Sequence, residues 1–385
     1  MPESPTLLNE TSTEGPWSSW RSDVPSISGR LGIVSLVLLG IDAVLGVFLR
    51  IPTGSPLWLD EALTVSIAKL PFGSLHGALK EDGAPPLYYV LLHMWIWFFG
   101  SSALAVRSLS TVFSLVTLVV VYRLAKRLFG LEVALFATAI LLAGSFAAYY
   151  STETRMYALV MLLTALGGTA LVRLFEAPGW KPALGVAAAS AALLYTHYWS
   201  IYLLAMLGIW MILSALFATP DRWRVAGKWG IGALAAGGVA FLPWLPTFLW
   251  QSKHTGTPWG GTPNFVTAVV AIFHFNHNQM AQVPLSGLAQ RFAELLMILL
   301  FAGALFLLAL SARRFKVVWV GLPRARFLIW MSIGVVFIGL VASHFTKAAF
   351  APRYGSVAYV ALVLLLAVGS RAVWSPVLRV VLIGG

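Results

Sequence analysis

The chain has 385 residues, of which 59% are hydrophobic and only 10% are charged. This composition excludes an ordinary soluble domain, and runs of roughly 20 apolar residues recur along the chain, which is the length that crosses a bilayer. The net charge of +12 does not indicate nucleic-acid binding, because Lys and Arg lie in short clusters between apolar runs. The sequence therefore predicts an all-α integral membrane protein, a polytopic helical bundle.

The amino-terminal residues 1–30 are polar and rich in Ser and Pro, which predicts a disordered cytoplasmic tail before a signal anchor. Residues 31–385 are then expected to form one multi-span domain with about ten spans. The last residues, 380–385, resemble a span cut short, so we expect a longer native chain. The predicted spans are 31–50, 103–122, 131–149, 156–175, 182–199, 200–218, 229–249, 292–311, 327–343 and 356–372.

The orientation of the spans follows from the basic clusters, which are separated by two spans each and so lie on one side, the cytoplasm. A large first extracytoplasmic loop then extends from Arg50 to about Arg107. The apolar stretch 85–99 inside this loop is short for a span, and we expect it to be a re-entrant or interfacial helix. Further outer segments are predicted at 149–156, 250–291 and 344–355.

Asp60 and Glu61 form the first acidic pair after the first span, in a segment whose apolar residues recur at helical spacing. We expect an amphipathic helix on the outer leaflet. The helix dipole alone would favour two acids in its first turn. Since neighbouring helical residues point about 100° apart, only one carboxylate is expected to face a cavity while the other braces it. A carboxylate at this interface is a candidate base for an acceptor hydroxyl.

A second acidic cluster, Glu81 and Asp82, precedes Gly83 and two prolines, which predict a turn. Asp82 would stand at the head of an aromatic helix in which Tyr88 and Tyr89 could flank a sugar or a lipid head group. An interfacial aromatic belt would give the same pattern, so both readings stay open.

Outer cations form a third group of candidates. Arg155 follows Glu153 in a short turn between two spans, and Arg107 and Arg353 lie at the outer ends of other spans. Glu153 could simply pair with Arg155 or cap the next helix. The alternative is that these arginines bind a lipid phosphate, whose geometry a guanidinium matches with two hydrogen bonds. For Arg353, interfacial snorkelling is the competing interpretation.

Histidines and a buried acid give weaker signals. His274 and His277 are three residues apart and could bind a metal ion, although two ligands make a weak motif. Asp42 and His197 lie within predicted spans, where polar packing in the bundle and a functional role are both open. The sequence contains no phosphate-binding loop, dinucleotide fingerprint or zinc-protease motif, which excludes those nucleotide and zinc chemistries.

Five short motifs follow one another along the chain: Trp58-Leu59-Asp60-Glu61-Ala62, Pro85-Pro86-Leu87-Tyr88-Tyr89, Arg107-Ser108-Leu109-Ser110, Glu153-Thr154-Arg155-Met156-Tyr157 and Arg353-Tyr354. In this order they resemble the membrane glycosyltransferases of the GT-C fold, in the branch shared by protein O-mannosyltransferases and the lipid A aminoarabinose transferase. The resemblance covers nearly the whole chain in topology. The chain departs from the family in having Ala84, where members often have His before the Pro pair.

The resemblance implies an enzyme that transfers a sugar, mannose or similar, from a polyprenyl-phosphate donor to a hydroxyl of a glycan, lipid or protein, with inversion. Asp60 would be the base, Glu61 its structural neighbour, and Asp82 would lie near the acceptor or a cation. Arg155 or Arg353 would meet the phosphate. Arg107, Tyr88, Tyr89, Glu153 and Tyr157 complete the expected substrate-binding set. No resident cofactor is expected apart from a divalent cation, which stays open.

A transporter or lipid-carrier flippase is the competing class, in which Asp42, Asp60 and the outer arginines would form a path for an ion or head group. Transporters usually carry broken helices at the bilayer midplane and inverted repeats, whereas the polar residues here gather at one interface. An inactive assembly subunit would keep the same spans. The sequence favours the enzyme.

Overall fold

A computed structural model describes residues 44, 46–48, 50–52, 54–218, 220–255, 326–346 and 351–371, and the elements found there are helices joined by short turns. This agrees with the all-α class that composition predicts. Several predictions lie outside the described residues: the tail 1–30, Asp42 with most of the first span, His274, His277, the span 292–311 and the chain end after 371.

Three short helices form the segment that follows the first predicted span: α1 (Leu59–Ala68), α2 (Phe72–Asp82) and α3 (Leu87–Phe99). In α1 the side chains of Leu59 and Leu63 are exposed, while Glu61, Val65 and Ala68 on the other face are buried. The exposed leucines suit the predicted contact with lipid. The buried face attaches the helix to the bundle and fixes the direction of its carboxylates.

Helix α4 (Ala103–Phe129) is the longest single helix of the described residues. The Ser102 hydroxyl caps its start by accepting from the backbone N–H of Ala105 at 3.3 Å. Its end is fixed by Gly130, which has a φ of 91° that glycine adopts without strain. At about 1.5 Å per residue, its 27 residues exceed a hydrocarbon core about 30 Å thick.

The chain then returns through α5 (Leu131–Ala143) and α6 (Ser145–Ser151), and α7 (Tyr157–Glu176) follows a turn at 152–156. The predicted span 131–149 is therefore broken at Gly144. Arg50, fully buried, donates to the carbonyl oxygens of Leu141 and Leu142 in the last turn of α5. A cation at this position satisfies carbonyl groups that have no partner within their helix.

A second group of helices packs through small residues: α8 (Trp180–Leu194), α9 (Ser200–Phe217) and α10 (Asp221–Phe241). A Cβ atom added at Gly227 would lie 2.5 Å from the backbone N of Ala215, and one at Gly237 would lie 2.8 Å from the Cβ of Ser190. Close approach of this kind at small residues is typical of helices packed in membranes. A short 3₁₀ turn (Leu242–Trp244) leads from α10 into α11 (Leu245–His254).

The described part of the carboxyl-terminal region contributes α12 (Val335–Thr346), which follows a π-turn at Trp330–Gly334, and α13 (Ser356–Arg371), which follows a 3₁₀ turn at Pro352–Gly355. The side chains of α13 from Val357 to Leu365 are buried. Helix α13 therefore lies inside the bundle, in contact with α5 and α7. The 3₁₀ turn before it brings Arg353 and Tyr354 to the end of the bundle where α7 begins.

Within the described residues, four helical segments are long and apolar enough to cross a membrane: Ala103–Phe129, Tyr157–Glu176, Ser200–Phe217 and Asp221–His254. Other apolar helices, including Trp180–Leu194, are shorter than the spans predicted for them. Residues 87–99 form a short helix as expected. The total of about ten spans remains a prediction.

The two ends of the bundle carry different side chains. The starts of α4, α7, α9 and α13 meet the turn at 152–156 and helix α1 at one end. The Arg127–Glu176 ion pair joins the last residues of α4 and α7 at the other end. The carboxylates singled out in the sequence therefore share one end of the bundle, opposite a basic cluster.

Candidate active site

Glu61 and Arg107 form a buried ion pair that joins α1 to α4. Arg107 donates from Nε to Glu61 Oε1 at 2.9 Å and from Nη2 to Oε2 at 2.6 Å. Its remaining donors bind the backbone oxygen and hydroxyl of Ser55, each at 2.9 Å, and the Pro56 carbonyl at 3.2 Å. All five N–H groups of this guanidinium thus have acceptors in the protein.

Glu61 also anchors the turn that carries Glu153 and Arg155. Its Oε1 accepts from the backbone N–H of Thr154 at 2.8 Å, and the side chain is 1% exposed. Hydrogen bonds to both oxygens of this buried carboxylate replace those it would make with water. The ion pair therefore holds α1, α4 and the 152–156 turn in one arrangement, and its geometry favours a structural role for Arg107 over phosphate binding.

Asp60 lies on a different side of α1 from its neighbour and keeps access to solvent. Its side chain is 28% exposed, and its Oδ2 lies 3.5 Å from Nη1 of Arg353, at the limit of a hydrogen bond. The structure thus places Glu61 in a saturated pair and Asp60 beside Arg353, and these different surroundings agree with the different directions that adjacent residues take on a helix.

Arg155 reaches the same region from the turn before α7. Its Nη1 donates to the Thr64 hydroxyl at 2.9 Å, and Thr64 in turn donates to the backbone oxygen of Asp60 at 2.7 Å. The Nε of Arg155 is buried and has no hydrogen-bond partner among the described residues. A buried guanidinium N–H without an acceptor is unusual in a folded protein, and it indicates a place for a ligand or an ordered water.

Asp82 is the last residue of α2 and accepts from the Tyr89 hydroxyl at 2.8 Å. Tyr89 is buried, and its hydroxyl also lies close to Thr64. Asp82 is therefore connected to Arg155 through two side chains and does not contact Asp60 directly. Tyr88 lies deeper, with its hydroxyl 3.2 Å from that of Ser110.

Glu153 is a buried acid, 5% exposed, in the turn before α7. Burial raises the pKa of its carboxyl to about 8, and the nearby Arg155 opposes this rise only in part. Its Oε2 has no hydrogen-bond partner in the described part of the chain. The buried hydroxyls of Thr154, Ser200 and Ser356, at the same end of the bundle, also lack partners there.

His197 joins this group although the sequence placed it inside a span. It lies in the turn between α8 and α9, and its ring centroid is 5.8 Å from that of Tyr157 and 5.4 Å from that of Tyr354. Burial, with the positive charges of Arg155 and Arg353, lowers the pKa of His197 to about 3. A polar residue in a long apolar run was the only sequence signal for this position.

The structure brings together Asp60, Glu153, Arg155, Tyr157 and Arg353, all predicted site residues, and adds His197. It places Arg107 and Glu61 behind them in the supporting pair, with Asp82, Tyr88 and Tyr89 to the side. The substrate roles of these residues remain predictions.

Two further features of the described residues bear on the chemistry. No group of three or more His, Asp or Glu side chains is arranged there to hold a metal ion. An apolar cavity of about 680 Å³ lies among α4, α7, α8, α9 and α13 towards the Arg127–Glu176 end. Asp60, Glu153, Arg155 and Arg353 do not line this cavity, so it is separate from the candidate site.

Comparison with protein families gives a match between residues 83–250 and the family described as dolichyl-phosphate-mannose-protein mannosyltransferase. The match confirms the resemblance seen in the sequence. The matched residues include α3, α7, the Glu153–Arg155 turn and His197. No curated protein sequence matches the chain.

Solved structures show the same fold. The chain superposes on crystal structures of ArnT from Cupriavidus metallidurans, one bound to undecaprenyl phosphate and one in the apo state, each with a TM-score of 0.52. Identity is 20% and 18%, and the match covers 89% and 88% of this chain. The chain spans about 60% of the length of each ArnT chain. The protein therefore shares the fold of ArnT over most of its length.

Proposed function

We propose that the protein transfers a sugar from a polyprenyl-phosphate donor to an acceptor hydroxyl, with Asp60 as the base. The observation that carries the proposal is the position of a partly exposed carboxylate, Asp60, beside Arg353 and one side chain away from Arg155, which binds the Thr64 hydroxyl, at one end of a membrane bundle. The family match and the ArnT-like fold support it, and the ArnT structure in complex with undecaprenyl phosphate supports the donor class.

The donor phosphate would bind between Arg155 and Arg353. Arg155 has a buried Nε without an acceptor among the described residues, and Arg353 holds Asp60 only at 3.5 Å. The two guanidinium groups are close enough for their charges to interact, so together they would offer positive charge to one phosphate. Charge-assisted hydrogen bonds from arginine to phosphate are roughly twice as strong as neutral ones.

Asp60 would take the proton of the acceptor hydroxyl as its oxygen attacks the anomeric carbon. The bond between that carbon and the phosphate oxygen breaks, and the lipid phosphate leaves with the electron pair. Since the two arginines already balance the charge of the phosphate, no strong general acid is required. Attack opposite the leaving phosphate gives inversion of configuration.

Glu153 suits the sugar better than the phosphate. A carboxyl whose pKa is about 8 is largely protonated at neutral pH, and its proton makes it a hydrogen-bond donor as well as an acceptor. A sugar hydroxyl can satisfy both functions, whereas an ionised carboxylate beside a phosphate would repel it. The opposite, basic end of the bundle supports an extracytoplasmic position of the site.

The direct test is product formation by the purified protein in nanodiscs. Radiolabelled mannosyl and aminoarabinosyl polyprenyl phosphates would be supplied with a panel of hydroxyl acceptors, and a nucleotide-sugar would serve as the matched non-lipid donor. We expect transfer from a lipid donor and none from the nucleotide-sugar. If the folded protein releases no sugar from any lipid donor, the proposal is wrong and transport or assembly takes its place.

A further inference from the structure

His197 has a defined tautomer and one available donor. Its Nδ1 accepts from the backbone N–H of Trp199 at 3.2 Å, and a backbone N–H can only donate, so the ring proton lies on Nε2. The nearby arginines and the burial of the ring keep the imidazole neutral at physiological pH. Among the described residues the Nε2–H has no hydrogen-bond acceptor.

The ring is held firmly in place by aromatic side chains. The rings of Tyr157 and Tyr354 both contact it, and Tyr354 itself stacks on Trp199 with the ring centroids 5.4 Å apart. His197 is 6% exposed. A rigid donor on a nearly buried ring, with no protein acceptor among the described residues, is available to a ligand acceptor.

The chemistry of the surroundings indicates which acceptor. Arg155 and Arg353 provide the positive charge for a phosphate, so a neutral N–H adds little for an anion. A neutral donor is suited to a sugar, whose hydroxyls accept hydrogen bonds without carrying a charge. Glu153, in the same turn as Arg155, would reach other hydroxyls of the same ring.

We propose that His197 is a positioning residue for the donor sugar, with its Nε2–H donating to a sugar hydroxyl. This inference rests on the proposed function and deepens it. It assigns recognition of the sugar to the turn between α8 and α9 and recognition of the phosphate to the two arginines. The hydroxyl that His197 binds would then contribute to the choice between donor sugars.

The test compares His197→Phe, which keeps an aromatic ring, with His197→Gln, which keeps an N–H near the position of Nε2. For the lipid-linked sugar we expect kcat/KM to fall about tenfold in His197→Phe and to recover for the most part in His197→Gln. The Kd for sugar-free polyprenyl phosphate should be unchanged in both variants. With a deoxy donor that lacks the bound hydroxyl, wild type and His197→Phe should give the same rate.

Three outcomes would overturn the inference while wild type remains active. One is an unchanged rate in His197→Phe with every donor. Another is a loss of affinity for sugar-free polyprenyl phosphate in His197→Phe that is as large as its loss of kcat/KM for the lipid-linked sugar. The third is an equal loss of unfolding temperature in the Phe and Gln variants, which would show a structural role. A wild-type protein inactive with all lipid donors would instead refute the proposed function itself.

Discussion

Asp60 and Glu61 are adjacent in the sequence, yet their surroundings differ in almost every respect. Glu61 is buried in a bidentate pair with Arg107 and accepts a further backbone N–H, whereas Asp60 is partly exposed and meets Arg353 only at 3.5 Å. Arg107 has acceptors for all its donors, while Arg155 keeps a buried Nε without one in the described structure. Saturated polar groups hold the fold, and incompletely satisfied ones are available to a ligand.

Substitution of Asp60 should produce the largest effect on activity. We expect Asp60→Asn to reduce kcat about 10²- to 10⁴-fold, because a general base contributes a factor of that size. The unfolding temperature should stay within a degree or two of wild type, since the one ion pair of Asp60 among the described residues is long. Transfer rates and thermal unfolding of the same preparation would check this. A variant that keeps its rate would show that Asp60 is not the base.

The Glu61–Arg107 pair should show the opposite pattern. Removing one partner leaves a buried charge without compensation, so Glu61→Leu or Arg107→Leu should each lower the free energy of unfolding by about 3–5 kcal/mol. The double variant should recover part of this loss. Chemical unfolding in detergent would measure it, and additive losses in the double variant would contradict the pairing.

Arg353→Gln should weaken donor binding. Loss of a charge-assisted hydrogen bond is worth about 1.5–3 kcal/mol, which predicts a rise of roughly 10- to 100-fold in KM for the lipid donor. Arg353→Lys, which keeps the charge but not the planar fork, should give an intermediate value. Competition by sugar-free polyprenyl phosphate would measure the phosphate contact directly, and equal inhibition of all three proteins would rule out that contact.

Glu153 should make stability depend on pH. Its pKa is about 8 in the folded protein against 4.5 ordinarily, so the folded state binds more protons between these values. Stability from this group is therefore lost as pH rises, by about 2 kcal/mol between pH 6 and 7.5. Glu153→Gln should lack this part of the dependence. Parallel pH profiles of unfolding for the two proteins would disprove the raised pKa.

The exposed pair at the other end of the bundle should have the smallest effect. Arg127 is 48% exposed and Glu176 25%, and exposed ion pairs contribute less than about 1 kcal/mol. Arg127→Gln should therefore leave both unfolding and transfer nearly unchanged. It provides the control for the loss of an arginine that takes no part in the site.

The sequence predicted the elements whose signals are local. Helices α4, α7 and α9 and the short helix α3 lie close to where hydrophobic runs placed them, and the two acids of α1 divide their directions as helical geometry requires. The break at Gly144 inside the span 131–149 was not predicted, because the apolar run continues through it.

The site could be predicted only in part, since its contacts join distant parts of the chain. The sequence identifies Arg107 only as an outer cation. Its hydrogen bonds to Ser55 and Glu61, some 50 residues earlier in the chain, show that its donors are occupied. His197 read as a polar residue within a span. Its place beside Tyr354, in the last described part of the chain, depends on how α9 and α13 pack.

The central claim is that the Glu61–Arg107 pair supports the fold while Asp60, Arg155 and Arg353 bind the substrate. A cryo-electron microscopy structure of Asp60→Asn with a bound polyprenyl-phosphate sugar tests it most directly. The phosphate should lie within hydrogen-bonding distance of Arg155 and Arg353, with the anomeric carbon facing residue 60 and the Glu61–Arg107 pair unchanged. A phosphate bound to Arg107 with that pair broken, or bound at the basic end near Arg127, would contradict the account.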